Sequence, residues 1–591
     1  MSNENGKHQR ASARANSNGS SKAARPPSRT TTRESQRPRP EPPIQTQTLT
    51  QLPRLLSANQ LRPPPRQRQR LGNSLASLLT LNTSSQSSND DPKPSQWSAL
   101  DLGGMHMRNI ATNLFKYSFL TQLYLNHNQL HFLPPEVAHL KSLALLDLSA
   151  NKLQTVPPEL GQLVSLKELL LFDNQLTYLP VELGNLFQLD LFGLEGNPLS
   201  EPYIGFLQKE GGALHIISYL RENIPAGAQP AEREWIVLED DEKDSFTVLC
   251  YNTLCDKYAT AATYPYTPSW ALAWEYRKET IFHEIINYNA DIVCLQEMET
   301  GQFEEYFQEQ FLQVSDYEGV FWPKSRARTM GEYERRAVDG CATFFRSSKF
   351  SLIEKHTIEF QQIAMQRPEL RRTEDVFNRV MVKDNIGLIT VLESKDAQNP
   401  FKLIVVNTHL HWDPSDGDVK LVQTAMLLEE LAKIVAQYQP ATPPGANKPK
   451  ENTIPILLCG DFNSLPESGV HQLLTQGSIP RDHPDFQKYT YGSRHQLDFT
   501  NLTPSFKGVI DWIWYSGPTL GVSGDYLKGV GSTTGPVVGF PNAHHPSDHV
   551  PIMASLWYKG GSVGGGKDDK SGGKNEGGNF GGVGGSNKTK K

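Results

Sequence analysis

TIPILLCGDFNS, residues 453–464, is a short apolar run that ends abruptly on a carboxylate, Asp461, and a carboxamide, Asn463. Runs of this length with β-branched residues read as buried strands, and their polar ends as the rim of a sheet. The same grammar extends on both sides. Upstream lie FTVLCYNTL (246–254), DIVCLQEME (291–299), GCATFFR (340–346) and KLIVVNTHLHW (402–412); downstream lie GVIDWIWYS (508–516) and PIMASLWY (551–558). Two long amphipathic stretches, AWEYRKETIFHEIINY (273–288) and VKLVQTAMLLEELAKIVAQY (419–438), separate them. Apolar strands alternating with amphipathic helices predict an α/β domain whose sheets are covered on both faces, over roughly residues 244–558.

A second pattern precedes it. Asn128, Asn151, Asn174 and Asn197 recur every 23 residues, and Leu120/Leu143/Leu166/Leu189, Leu125/Leu148/Leu171/Leu194 and Leu130/Leu153/Leu176/Leu199 keep the same step. Prolines 134, 157 and 180 move with them, and Leu100 with Leu102 begin an incomplete earlier turn. This is the LxxLxLxxNxL leucine-rich repeat, in which leucines stack inward and the Asn side chain satisfies backbone groups at the bend. Residues 98–201 are therefore expected to form a short solenoid, a binding element without catalytic groups. Residues 202–243 read as a connector with one helical stretch, LHIISYLRENI.

The flanks differ in kind. The chain has 591 residues and a net charge of −6, unevenly spread. Residues 1–97 carry 15 Lys/Arg against 5 Asp/Glu and 559–591 carry 7 against 3, which leaves 36 against 56 between them, a body of net charge −20. The arm is rich in Arg, Pro, Ser, Gln and Asn and the tail in Gly and Lys, compositions that cannot bury enough apolar surface to order themselves. Within the arm only LTQLPRLL and LASLLTL break the pattern, as segments that could fold on a partner. An acidic body argues against nucleic acid on bulk charge, but carboxylates gathered at a metal site add charge that bound cations reverse locally. The five cysteines (250, 255, 294, 341 and 459) form no CxxC pair and read as buried free thiols, which suits a reducing compartment. The polar start is no signal peptide, and no apolar stretch reaches the ~20 residues that cross a bilayer. A soluble intracellular protein with no membrane association is expected.

Polar residues sit where each apolar strand ends: Asn252, Glu297, His409, Asp461 with Asn463, Asp511, and Asp548 with His549. Singly, each has a structural explanation, since an Asp-x-Asn after a strand often caps its own backbone. As a set they deliver carboxylates, carboxamides and imidazoles to one kind of position. Oxygen donors without thiolates favour a hard cation such as Mg²⁺, and the absence of a His/Cys cluster disfavours zinc. Such a set suits phosphodiester hydrolysis, in which a carboxylate directs water and an imidazole held by a carboxylate donates to phosphate.

The ordered series of these residues resembles the endonuclease/exonuclease/phosphatase superfamily, which implies a two-sheet α/β sandwich and Mg²⁺-dependent cleavage of phosphate esters. More closely, YNTLCD, CLQEME, VDGCATFF, NTHLHWDP, VKLVQTAML, GDFNS, FKGVIDWIWYS and PSDHVPIMA resemble the carbon-catabolite-repressor deadenylases of the Ccr–Not complex, as does the order of repeats then nuclease across residues 98–558. The long N-terminal arm suits a fungal member of that family. The resemblance implies removal of the mRNA poly(A) tail from its 3′ end, releasing 5′-AMP, in cytoplasm and nucleus, with two Mg²⁺ ions for which Mn²⁺ can substitute. It implies that Glu297 binds metal with Asn252, Asp461 and Asp548 beside it, and that Asp461 positions the attacking water. Asn463 contacts the scissile phosphate or terminal nucleotide, Asp511 orients His549, and His409 binds phosphate. Pro414 and Phe506 sandwich the terminal adenine, with Trp412 also on the substrate side. The repeats are expected to dock a second deadenylase subunit of the complex. One departure is Leu254, where some DNA-repair members of the superfamily carry a carboxylate, which weakens the case for a metal ligand there. Two alternatives stay open at this point: another phosphoesterase on the same scaffold, and an inactive scaffold that acts through its repeats.

Overall fold

The computed structural model describes residues 98–227, 229–230, 233–237, 245–314, 316–366, 378–439, 454–480, 483–486, 501–503, 506–528, 538–559 and 580–583, some of them by backbone alone. The apolar patches of the N-terminal arm lie outside these residues.

Five parallel three-residue strands, β1 (Ala99–Asp101), β2 (Gln122–Tyr124), β3 (Leu145–Asp147), β4 (Glu168–Leu170) and β5 (Leu191–Gly193), stack in sequence order. The repeat leucines fill one continuous core, with Leu125, Leu148 and Leu171 fully buried. Each repeat asparagine closes the bend. Asn151 donates from Nδ2 to the carbonyls of Leu125 (3.0 Å) and Leu148 (2.9 Å), and its Oδ1 accepts from the Leu130 amide (3.0 Å). No other side chain of that size both donates and accepts there, which is why the 23-residue step is marked by Asn.

The segment read as a connector is more structured than expected. The helix Gly212–Glu222 buries Ile216, Ile217 and Leu220 in the repeat core and so caps the solenoid's open end. Strand β6 (Glu234–Val237) then joins a sheet of the α/β domain. An exposed solenoid end needs such a cap because its last leucines have no following repeat to cover them.

All but two of the remaining strands form two packed sheets. The first has the order β6, β18 (Leu520–Lys528), β19 (Ile552–Tyr558), β7 (Ser245–Asn252), β8 (Ile292–Glu299), β10 (Asp339–Arg346) and β9 (Tyr317–Pro323). The second runs β11 (Phe350–Glu359), β12 (Ile386–Ser394), β13 (Lys402–His409), β14 (Ile456–Asp461), β17 (Asp511–Ser516) and β20 (Phe580–Val583). Between the sheets lies a layer that includes Val248, Cys250, Ile292 and Cys294 from one and Leu388, Val405, Leu457 and Cys459 from the other. Helix Trp274–Tyr288 covers the outer face of the first sheet and helices Gly417–Tyr438 and Gly469–Gln476 that of the second. All five cysteines are buried and free.

Strands β9 and β11 escaped the sequence reading because their apolar residues mix with Glu, Lys or Ser on half-exposed faces; β12, buried at every position but Glu393, also went unread. The Gly/Lys tail, read as wholly without structure, contributes β20, which pairs with β17. Pairing covers backbone groups that an edge strand would otherwise leave open, so even a Gly-rich stretch can serve.

Candidate active site

The strand-end residues meet at one end of the sandwich because β7 pairs with β8 in one sheet while β14 pairs with β13 and β17 in the other. In register, His409 faces Asp461, and Asp461 faces Asp511. Three polar ends on neighbouring strands are thereby placed in one row. Gly460 permits this approach: a Cβ there would lie 2.1 Å from the Thr408 carbonyl oxygen.

The centre of the site is the carboxamide of Asn252. Its Nδ2 lies 3.1 Å from Glu297 Oε1, 3.1 Å from Asp461 Oδ2 and 3.4 Å from His549 Nε2. Its Oδ1 is engaged by the Leu254 amide at 3.0 Å. That backbone donor fixes the side chain's orientation, so in this arrangement Asn252 presents nitrogen to the two carboxylates. Glu297 Oε2 accepts from the Cys255 amide at 2.9 Å. Glu297 and Asn463 both have left-handed backbones, with φ of 61° and 47°, and Leu254 has 54°. Asparagine tolerates this region, but Glu and Leu pay for it, by roughly 1–3 kcal/mol each, and such strain is retained where it aims a functional group.

Asp461 is buried, and its Oδ1 accepts from the Asn463 amide at 2.9 Å. Burial and then the neighbouring Asp511 push its carboxyl up from the usual range, against the pull of His549 and His409. His549 Nδ1 meets Asp511 Oδ2 at 2.8 Å, and its Nε2 faces Asp461 Oδ2 at 3.7 Å and Asp548 Oδ1 at 3.9 Å. Burial alone would lower the imidazole pKa, but Asp511, Asp548 and Asp461 reverse this and hold it well above the ordinary histidine range. His409 Nε2 lies 3.6 Å from Asp461 Oδ2; burial and the nearby Lys324 cation keep it below the ordinary value. Asn463 donates from Nδ2 to the Leu410 carbonyl at 3.1 Å, and Lys420 Nζ donates to the Asn463 carbonyl at 2.7 Å.

Several supports were not singled out from sequence. Tyr264 Oη donates to Asp548 Oδ2 at 2.9 Å. The wholly buried Arg277 donates to the carbonyls of Leu254 (2.8 Å), Leu272 (3.0 Å) and Pro546 (3.1 Å), tying together the segments that carry Asn252 and His549. Asp339, also fully buried, gathers Lys257, Lys324 and Arg326 at 2.8, 2.6 and 2.5 Å, a cluster with an excess of positive charge beside the acidic centre. A lone Arg or Tyr between apolar runs carries no periodic signal that would mark it.

Trp412 is 69% exposed, and Pro414 is also exposed, on the loop that leaves β13 directly after His409. Phe506 opens β16 (Phe506–Gly508), which pairs with β15 (Asn501–Thr503); its side chain lies outside the described residues.

The donor set fits a hard divalent cation. Two carboxylates, Glu297 and Asp461, share one amide donor, and among the described residues neither forms a salt bridge with an ammonium or guanidinium group. Concentrated negative charge of this kind is what a divalent ion neutralises, and oxygen donors suit Mg²⁺ or a similar ion.

A His–Asp pair beside amide-bridged carboxylates, at the rim of a two-sheet sandwich, defines a phosphate-ester hydrolase, and residues 249–549 match the Endonuclease/Exonuclease/phosphatase family. Residues 118–176 match Leucine rich repeat. Across the longer span, the chain is 50% identical over 503 residues to the CCR4-Not complex 3′-5′-exoribonuclease subunit Ccr4 of Mycosarcoma maydis, covering 78% of this chain and 74% of that one. It is 47% identical over 539 residues to the subunit of the same name from Schizosaccharomyces pombe, covering 80% and 76%. The chain belongs to the Ccr4 family.

Proposed function

We propose that this protein is the 3′-to-5′ exoribonuclease subunit of a Ccr4–Not complex and that it shortens the poly(A) tail of mRNA with Mg²⁺. The observation that carries the reading is the convergence of Glu297, Asp461 and His549 on Asn252, all within 3.4 Å of its amide nitrogen. Relatives bearing the name of that subunit supply the reaction class, and the intact acidic centre disfavours an inactive scaffold.

Each group has work it can do. Glu297 and Asp461 would hold the divalent ion, which when bound neutralises the phosphate and acidifies water. Asp461, raised by burial, is suited to orient the attacking water and accept its proton. The imidazolium of His549, held by Asp511, donates to a phosphate oxygen as charge grows there. His409 faces the same carboxylate from the other side and can donate to phosphate. Asn252 keeps both carboxylates in place throughout.

The test uses full-length protein, Mg²⁺ and an RNA ending in about twenty adenines, a length a single-strand channel can engage. Stepwise loss from the 3′ end, abolished by Glu297→Gln, supports the enzyme, and unchanged activity in that variant removes the site assignment. Equal attack on tails of uridine or cytidine would spare the nuclease and remove the adenine preference.

The repeats suit a partner, which we take to be a second deadenylase subunit. Phe132 (51% exposed) and Tyr178 (55% exposed) lie two repeat steps apart at the same repeat position, and so share one face. Replacing both with Ser should abolish co-purification while leaving nuclease activity; retained binding would refute this face.

A further inference from the structure

The loop from His411 to Asp416 is built inside out. The polar side chains at its two ends turn inward: His411 is buried and Asp416 half-buried. Its two large apolar residues, Trp412 and Pro414, face solvent. An exposed indole is ordinarily placed on a surface that can let it move, yet this loop is fastened along its length. The His411 amide donates to Gln423 Oε1 at 3.0 Å, and Gln423 Nε2 in turn donates to Asn385 Oδ1 at 3.1 Å. Asn385 donates back to the His409 carbonyl at 3.0 Å. Asp413 Oδ1 accepts from the Ser415 amide at 2.8 Å, a local turn that sets the Pro414 ring.

The two ends of the loop meet directly, His411 Nε2 standing 3.0 Å from Asp416 Oδ2, and one cation bridges both. Lys383 Nζ lies 2.9 Å from His411 Nε2 and 3.1 Å from Asp416 Oδ2. Arg379 reaches Asp416 Oδ1 at 3.1 Å and Asp418 Oδ1 at 2.6 Å, the latter in the first turn of the following helix. Burial, and then Lys383 itself, lower the His411 pKa against the pull of Asp416. His411, Asp413 and Asp416 are close enough to one another to suggest a cation site, but the Lys383 ammonium already stands against two of the three.

We infer that Lys383, with Arg379 behind it, is a positioning residue for recognition of the RNA's terminal base: it clamps the His411–Asp416 loop so that Trp412 and Pro414 form a fixed stacking surface next to the reacting phosphate. This rests on the adenine reading above. A rigid aromatic or proline face loses little freedom when a base stacks on it, so the clamp lowers the cost of binding without touching the chemistry. The surface is also in the right place. Leu410, one residue before the loop, accepts from Asn463 and donates its amide to the Asp461 carbonyl at 2.9 Å, so loop and catalytic carboxylate share one backbone frame.

The experiment compares full-length wild type with Lys383→Met, Lys383→Arg and Arg379→Met on RNAs ending in twenty A, U or C residues. In wild type the A tail should be shortened fastest. Lys383→Met should cut the A-over-U rate ratio by at least about fivefold, the low end of what losing one stacked base costs, through KM for the A tail and with a far smaller change in the U-tail rate. Lys383→Arg should restore most of the ratio, and Arg379→Met should lower it by less. A Lys383→Met protein that keeps the wild-type ratio, or loses all three tails in proportion, overturns the clamp. A wild type with no A preference overturns the adenine reading itself and this inference with it, a result that needs no variant to recognise.

Discussion

The hydroxyl of Tyr264 donates to the carboxylate of Asp548 at 2.9 Å, and Tyr264 in turn packs edge-on against Tyr266, which meets Phe187 of the fourth repeat at 5.5 Å. The leucine-rich repeats therefore touch, through two buried tyrosines, a residue adjacent to His549. Glu222 on the solenoid's capping helix adds a second junction by accepting from the Ser269 amide and hydroxyl. Tyr264→Phe removes one hydrogen bond to a charged group, worth about 1.5–3 kcal/mol, and should slow single-turnover hydrolysis about tenfold while lowering the melting temperature by a few degrees. Phe187→Ala, remote from the chemistry, should also slow it. A fully active Phe187→Ala protein would show that the repeats do not support the site.

Asp511 is the foremost of the anions that hold His549 protonated. The imidazole pKa in the folded protein is raised, so its stabilising charge is complete below the unfolded value and is lost as pH rises through the folded one. In Asp511→Asn the folded pKa should fall. The alkaline limb of the rate profile should then move to lower pH, with kcat reduced about a hundredfold or more at neutral pH because the ring also loses its orientation. A pH titration of the His549 ring by NMR, in wild type and variant, checks the direction directly; an unmoved resonance would sink the assignment.

Arg277 is a buried cation that donates to backbone carbonyls on three segments, with the Asp256 carboxylate 3.8 Å away. Arg277→Met leaves those carbonyls without donors in a dry interior. It should cost roughly 3–5 kcal/mol in urea denaturation, as removal of one partner from a buried charged network does. Arg277→Lys should recover only a part, because an ammonium cannot reach all three. A loss below about 1 kcal/mol would mean that water replaces the guanidinium.

Glu284 accepts from the Tyr251 hydroxyl at 3.1 Å, and burial pushes its carboxyl up to about 7. The native state thus binds a proton that the unfolded chain releases near the ordinary glutamate value of 4.5. Its contribution is present below that lower value and is lost as pH rises towards about 7. Glu284→Gln should flatten this part of the stability curve and raise the melting temperature by a few degrees at pH 8. Parallel melting curves for the two proteins between pH 5 and 8 would contradict it.

Much of this protein is legible in one dimension. The repeat is visible because every turn of a solenoid solves the same packing problem with the same residues, so Leu125, Leu148 and Leu171 announce one another. Strand ends such as CGDFNS are informative as a set, because a single carboxylate after an apolar run often caps its own backbone. What stayed hidden has no period. Tyr264, Arg277 and Lys383 each serve one local geometry, and nothing in the residues around them repeats. Asn252 was visible as a site residue, but its orientation was not, since that follows from the Leu254 amide and the two carboxylates it meets.

The two-part organisation, the solenoid's step and the kinds of group delivered to strand ends are written in the chain itself, because periodicity and residue chemistry are local properties. That those groups share one centre follows from strand pairing and sheet packing. The parallel register of β13 on β14 and the antiparallel register of β14 on β17 put His409, Asp461 and Asp511 in a row, and the packing of one sheet on the other brings Asn252, Glu297 and His549 to meet them. Strand pairing joins residues across more than two hundred positions of chain, and no short-range pattern encodes that distance.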